Sequence, residues 1–398
     1  MIPAPENPAP AQRLTSLDAF RGWVMLLIMG EVLEFSEVAQ GRPNSGFWRF
    51  LAGQQMHSEW IGCTLHDLIQ PSFSLLVGVA LPFSLARRTA LGQSQGWMTL
   101  HALWRSLLLI LLGVFLRSVG QPQTYWTFED TLTQIGLGYF FLFQLGQCLA
   151  RWQWAALTII LFGYWAAFAL YPAPPASFDY AGVGVPADWP HRLAGFGAHW
   201  NKNSNLAWAG DTWFLNLFPR DGKFVFNEGG YATLSFIPTL GTMILGLLAG
   251  DVLRGNRNPA TVLKWLFAAG VALLVAGVAL GWLGICPVVK RIWTPSWVLF
   301  SGGLCYLLLA AFYLLADVWN HKKWFLPVVV IGTNSIAAYC MSHLFGDFIQ
   351  ETLSTHLGKN VFMVFGEAYA PVVHGALTLL VLWLILFWLY RRKIFLRI

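Results

Sequence analysis

Charge is what this chain has least of: Asp, Glu, Lys and Arg make up 11% of its 398 residues, against 56% hydrophobic. A water-soluble protein could hardly cover its surface from so small a polar share, so most of that surface must face lipid. Cysteine is sparse and scattered as well. Cys63, Cys148, Cys286, Cys305 and Cys340 form an odd set with no close pair, which argues against a disulfide framework and against a C-x-x-C metal knuckle. They read as small apolar fillers, and no metal is expected. No P-loop or Rossmann glycine pattern occurs, so a nucleotide-bearing ligand would lie in a slot between helices rather than on a nucleotide fold. The net charge of +6 is spread between apolar runs rather than gathered in a patch. That spread suits topology signals and anionic headgroups, and nucleic-acid binding is not expected. Before the first apolar run, Met1 to Gln12 is Pro- and Ala-rich with no basic segment or cleavage site. It reads as part of a short disordered tail (1–15), with the first helix acting as an uncleaved insertion signal.

What the chain has in abundance is apolar length. Runs of about 20 residues, enough to span a hydrocarbon core, fall at roughly 20–38, 68–86, 100–119, 131–149, 154–171, 233–251, 263–283, 296–316, 324–344 and 372–390. The expected fold is therefore an all-α membrane protein of about ten transmembrane helices, a single polytopic domain over 1–398. The 21 Trp and 30 Phe fit that setting as lipid-facing bulk and interfacial anchors. An even number of spans puts both termini on one side. Arg87, Arg88, Arg151, Arg254, Arg257, Lys264, Lys322, Lys323, Arg391, Arg392 and Lys393 fall on the terminal side, together with Arg13 and Arg397. By the positive-inside rule, that side is expected to be cytoplasmic. Segment 172–232, rich in Pro, Gly, Asp and Trp, is too polar to span and reads as a periplasmic lid or rim. No repeat relates the five helices before it to the five after, so an inverted-repeat transporter is not supported.

Ionisable groups are concentrated at one membrane boundary, Met56-His57-Ser58-Glu59-Trp60-Ile61-Gly62-Cys63-Thr64-Leu65-His66-Asp67, just ahead of an apolar run. A His beside carboxylates is suited to accept a proton near neutral pH. Thr64 and Asp67 also have the spacing of a helix capping box with Asp in place of Glu, so a purely local structural role stays open.

These residues carry a resemblance. His57-x-x-Trp60, Asp67 and Gly78-Val79-Ala80 resemble the signature of the transmembrane acyltransferase family that includes heparan-alpha-glucosaminide N-acetyltransferase and bacterial relatives in amino-sugar use. Ser16-Leu17-Asp18-Ala19-Phe20-Arg21-Gly22, Gln134 to Phe140, Ala232 to Gly250, and Gly332-Thr333-Asn334-Ser335-Ile336 with His343 resemble further motifs of that family, in order. Two stretches depart from it. Glu31-Val32 stands where many relatives carry Asn, and Phe226-Asn227-Glu228-Gly229 where many carry Asp-Pro-Glu-Gly.

The resemblance implies transfer of an acetyl group from cytosolic acetyl-CoA to the amine of a glucosamine-type sugar across the membrane. His57 would be general base or acyl relay, with Asp67 orienting it. Trp60, Asn334, Ser335 and His343 would contact substrate, Asn334 as donor to the thioester oxygen. Hydrogen bonding between helices is the competing role for Asn334, Ser335 and His343. Arg21, ahead of Arg87, Arg88 and Arg105, is the candidate for the donor's phosphates. A multi-pass protein of the bacterial inner membrane is implied, with the lipid bilayer and an amino sugar as partners and a homodimer as a further possibility. A carrier moving amino sugars without chemistry is the competing function; it would want broken helices in both halves, and Pro82, Pro238 and Pro327 do not correspond. A non-catalytic sensor is a third.

Overall fold

The computed structural model describes residues 14–255 and 257–396, so Met1 to Gln12, Arg13 and Arg397 lie outside the described residues. Fourteen α-helices follow one another, with no strands among the described residues: α1 (Thr15–Met29), α2 (Phe35–Gly41), α3 (Gly46–Gln55), α4 (Ile69–Ala90), α5 (Gln95–Ser118), α6 (Thr131–Leu145), α7 (Ala150–Leu170), α8 (Leu206–Phe214), α9 (Phe236–Arg254), α10 (Pro259–Trp282), α11 (Pro295–Phe312), α12 (Leu326–Thr333), α13 (Ser335–Leu357) and α14 (Ala370–Arg391). Seven of the helical stretches are long and apolar enough to cross a membrane, eight if α12 and α13, bent by 68° at Asn334, form one broken span.

The two remaining apolar runs, 20–38 and 131–149, become helices of only 15 residues each. At 1.5 Å per residue such a helix covers about 22 Å of a core about 30 Å thick. Local chemistry explains both stops. The first run meets Gly30 and Glu31, tightens into a 3₁₀ turn and leaves it at Glu34 with φ 47°. The second ends against Gly146, whose missing Cβ would collide with Leu81 of α4.

The bundle is held by small residues that let backbones touch, the usual device where lipid removes any hydrophobic drive between helices. A Cβ on Gly78 of α4 would run into the Met243 carbonyl of α9, and one on Gly246 into the Leu75 carbonyl. Gly22 and Gly332 make the same contact between α1 and α12. The interior is built by α1, α4, α6, α9 and α11, whereas α7, α10 and α14 bury little and face outward.

Segment 172–232 folds into short turns around α8. It packs on one end of the bundle through a second core of Trp60, Tyr164, Phe168, Trp200, Ala207, Ala232, Cys286, Val289 and Ile292. That core fixes the loops carrying the ionisable residues.

Candidate active site

Three loops meet beneath this lid. The first, 56–65, joins α3 to the 3₁₀ turn His66–Leu68 that opens the α4 span. The second is 227–231 and the third, between α10 and α11, contains Lys290 and Arg291. Arg291 laces them together: Nε and Nη2 donate to the Ser58 carbonyl at 3.2 and 3.0 Å, and Nη1 to the Gly229 carbonyl at 2.6 Å. Backbone pairing of Ile61 with Val289 and a Gly62 N–H donated to Val288 at 3.4 Å complete the seam.

Asp67, fully buried, divides its two oxygens between structure and chemistry. Oδ2 accepts from the Ser58 N–H (3.1 Å), the Ser58 hydroxyl (2.8 Å) and the Thr64 N–H (3.1 Å). This is the capping role expected from Thr64 and Asp67, and it leaves Oδ1 available. Oδ1 lies 2.9 Å from His57 Nδ1 and 3.1 Å from Lys290 Nζ. The capping contacts and the contact with His57 use different oxygens of Asp67.

His57 keeps 38% of its side chain exposed. It lines a cavity of about 1110 Å³ with Glu31, Glu129, Asp130, Glu228, Tyr231, Lys290 and His343. A carboxylate can only accept, so the 2.9 Å contact requires the proton on Nδ1 and leaves the lone pair on Nε2. Nε2 has no hydrogen-bond partner among the described residues. Enclosure by the protein pushes the imidazole below its ordinary pKa and the Lys290 charge adds to this, while the Asp67 hydrogen bond opposes both. Burial and the neighbouring ammonium both favour the neutral ring, whose Nε2 then carries the lone pair. His66 lies alongside, its ring centroid 4.6 Å from that of His57 and its Nε2 3.1 Å from Glu31 Oε1. Further round the wall, Glu129 accepts from Thr127 (2.9 Å) and Asn227 (3.1 Å), and its burial pushes the carboxyl upward.

A second cavity of about 320 Å³ runs through the bundle towards the opposite end. Met25, Phe73, Val77, Leu81 and Leu109 give it apolar walls, and Arg21, Arg105, Tyr139, Thr333 and Ser335 supply polar groups. Arg105 donates to the Tyr139 hydroxyl at 3.1 Å, and Arg21 lies 3.7 Å from Asp18. Thr131 and Tyr339 line both cavities.

The residues expected from the sequence therefore separate. His57 and Asp67 meet, Arg21 and Ser335 share the smaller cavity, and His343 lines the larger one with Nδ1 3.0 Å from the Tyr339 carbonyl. Two residues expected to touch substrate lie outside both cavities. Trp60 lines neither cavity: fully buried, it donates Nε1 to the Trp200 carbonyl at 3.1 Å and so fastens the His57 loop to the lid. Asn334 is equally buried, and both ends of its amide are engaged by the C-terminal segment, Nδ2 donating to the Ile394 carbonyl (2.8 Å) and Oδ1 accepting from Leu396 N–H (3.0 Å). One of the two Nδ2 hydrogens is thereby engaged. Arg87 and Arg88 lie outside the smaller cavity. Lys290 does not stand out in the sequence, where, next to Arg291, it reads as one more loop charge.

No family model matches the chain. It is 24% identical to human heparan-alpha-glucosaminide N-acetyltransferase over 97% of its own length and 25% identical to the mouse protein of that name over 83%. It spans 60% and 53% of the length of these two relatives. The resemblance expected from the motifs is thus present over most of the chain.

Proposed function

We propose that this protein transfers an acetyl group from acetyl-CoA to the amine of a glucosamine-type sugar, with donor and acceptor reaching the site from opposite sides of a membrane. The observation that supports this best is the pair of cavities sharing Thr131 and Tyr339: one presents guanidinium groups above apolar walls, the other a neutral imidazole among carboxylates. Arg21 and Arg105 fit the anionic end of the donor, and the apolar stretch fits an uncharged arm carrying the thioester. Glu31, Glu129 and Glu228 fit, as acceptors, the N–H groups of a free amine and the sugar hydroxyls. In this reading the Arg21 end faces the cytoplasm and the His57 end the opposite side of the membrane, as the Lys/Arg bias of the loops favours.

The chemistry follows from one free nitrogen. His57 Nε2 takes a proton from the amine as its nitrogen attacks the thioester carbonyl. The C–N bond forms, the C–S bond breaks, and the proton passes on to the departing thiolate. Asp67, bonded to Nδ1, holds the ring in the required tautomer and stabilises the transient imidazolium. A base so placed contributes about 10²–10⁴-fold. Activity should rise with pH as the imidazole deprotonates, with a midpoint below the ordinary histidine value because the ring is enclosed. The same nitrogen would carry the acetyl group in a relay, and acetyl trapped on His57 without acceptor would identify that route. The carrier reading is weaker, since α12–α13 is the one bent pair among the described helices and has no counterpart in the first half.

The test is direct: purified protein, labelled acetyl-CoA and glucosamine, with labelled N-acetylglucosamine as the expected product. Protein that binds CoA but moves no label onto any amino sugar overturns the proposal.

A further inference from the structure

Lys290 is the least expected member of the site. Its side chain is 4% exposed, 223 residues away in sequence from the carboxylate it touches, and 3.0 Å from the very nitrogen that Asp67 also contacts. The three edges of this triangle cannot all be hydrogen bonds. An ammonium only donates and a carboxylate only accepts, so Nδ1 would need a lone pair for Lys290 and a proton for Asp67. If Nδ1 accepted from Lys290, its lone pair would face the carboxylate at 2.9 Å. If instead it donates to Oδ1, both Lys290 and His57 donate to one oxygen, and the Lys290 to His57 edge is a through-space contact between a cation and a neutral ring. The second arrangement puts a donor opposite an acceptor on every bonded edge.

We propose that Lys290 is a positioning residue: by sharing Asp67 Oδ1 with His57 it fixes the tautomer that leaves Nε2 free, and by its charge it returns the ring to the neutral state after each proton transfer. The proposal deepens the transfer reading and rests on it. The geometry carries the argument in two ways. A protonated His57 would stand 3.0 Å from a second buried cation, so the imidazolium is useful only while the proton is in transit. The ammonium cannot swing away, because the second core encloses its loop and Arg291 ties that loop to Ser58 and Gly229.

Other charged or titratable groups face the pair from each packed element. His66, itself paired with Glu31, lies against the imidazole from the α4 side, Cys63 from the first loop, Tyr231 from the second and Arg291 from the third. Of these, Lys290 and Asp67 are the two within hydrogen-bonding distance of His57 Nδ1. Burial lowers the pKa of Lys290, and Asp67 opposes that fall.

The protonation of His57 can be read without turnover. Diethyl pyrocarbonate modifies only unprotonated imidazole, and peptide mass spectrometry assigns the modified histidine, so the rate against pH gives the midpoint for His57 in the intact protein. Lys290→Met should move that midpoint upward. A shift of about one pH unit would leave the ring roughly fivefold less reactive at the wild-type midpoint. The acidic limb of turnover should follow in the same direction, whereas Lys290→Arg, which keeps the charge, should leave both in place. Where Lys290→Met does not give monodisperse protein, Lys290→Gln is read in the same way. An unmoved midpoint in the charge-free variant overturns the proposal, even if activity falls, because a merely structural lysine would lower the plateau and not the limb. Absence of acetyl transfer by the wild type would defeat the transfer reading instead, and the modification midpoint would still be measured.

Discussion

The two ends of this bundle each bury polar groups beside an interrupted helix, yet they use them in opposite ways. At the end beneath the lid, Asp67 satisfies its buried oxygens with Ser58, Thr64, Lys290 and His57, and the network stops one atom short: His57 Nε2 faces a cavity without a protein partner. At the α12–α13 break, Asn334 engages both ends of its amide with the chain's own C-terminal segment and lines neither cavity. Buried polar groups cost free energy unless bonded, so a closed network is a structural device. A network that positions one nitrogen and leaves it open is what the proposed base requires.

The comparison is broken most severely by removing the open nitrogen. His57→Ala should cut turnover by about 10²–10⁴-fold while acetyl-CoA binding and thermal stability hold, since a base acts mainly in the transition state. Steady-state kinetics beside a binding isotherm would show this, and near-normal turnover would move the chemistry elsewhere. Asp67→Asn should lose less. Neutralising the partner that stabilises imidazolium makes His57 less basic, so the acidic limb moves to lower pH, opposite in sign to the Lys290→Met shift. The double variant His57→Ala with Asp67→Asn should be little worse than His57→Ala alone, because the carboxylate works through the ring. Independent multiplication of the two losses would make Asp67 a helix cap only.

The other end sharpens the contrast with smaller effects. Arg21→Ala removes a charge-assisted partner for phosphate and should weaken acetyl-CoA binding by about 1.5–3 kcal/mol, with the pH profile unmoved. Calorimetry with acetyl-CoA checks it, and unchanged affinity would place the phosphates elsewhere. Asn334→Ala should be a stability variant, unpairing the Ile394 carbonyl and Leu396 N–H at a cost of about 1–3 kcal/mol. Its melting temperature in detergent should fall while turnover per folded molecule stays close to wild type. A collapse of turnover at unchanged melting temperature would give Asn334 a chemical role instead.

Sequence alone determined what local chemistry and a membrane's thickness can dictate. Apolar length marked the helices, Ser16 to Gly22 and Gly332 to His343 marked their resemblance to a family, and the same resemblance paired His57 with Asp67 ten residues on. Tertiary structure decided the rest. Whether runs 20–38 and 131–149 would make long helices depended on Gly30, Glu31 and the approach of Leu81 to Gly146. Trp60 and Asn334 carry the polarity of ligand-binding residues, but their partners, Trp200 and Ile394, come from distant segments that no periodicity connects to them. Lys290 is the clearest case. A lysine in a short loop is ordinarily a solvated topology signal, and only the packing of the lid core against the α10–α11 loop drives this one into the interior, where burial forces it to find the one carboxylate within reach.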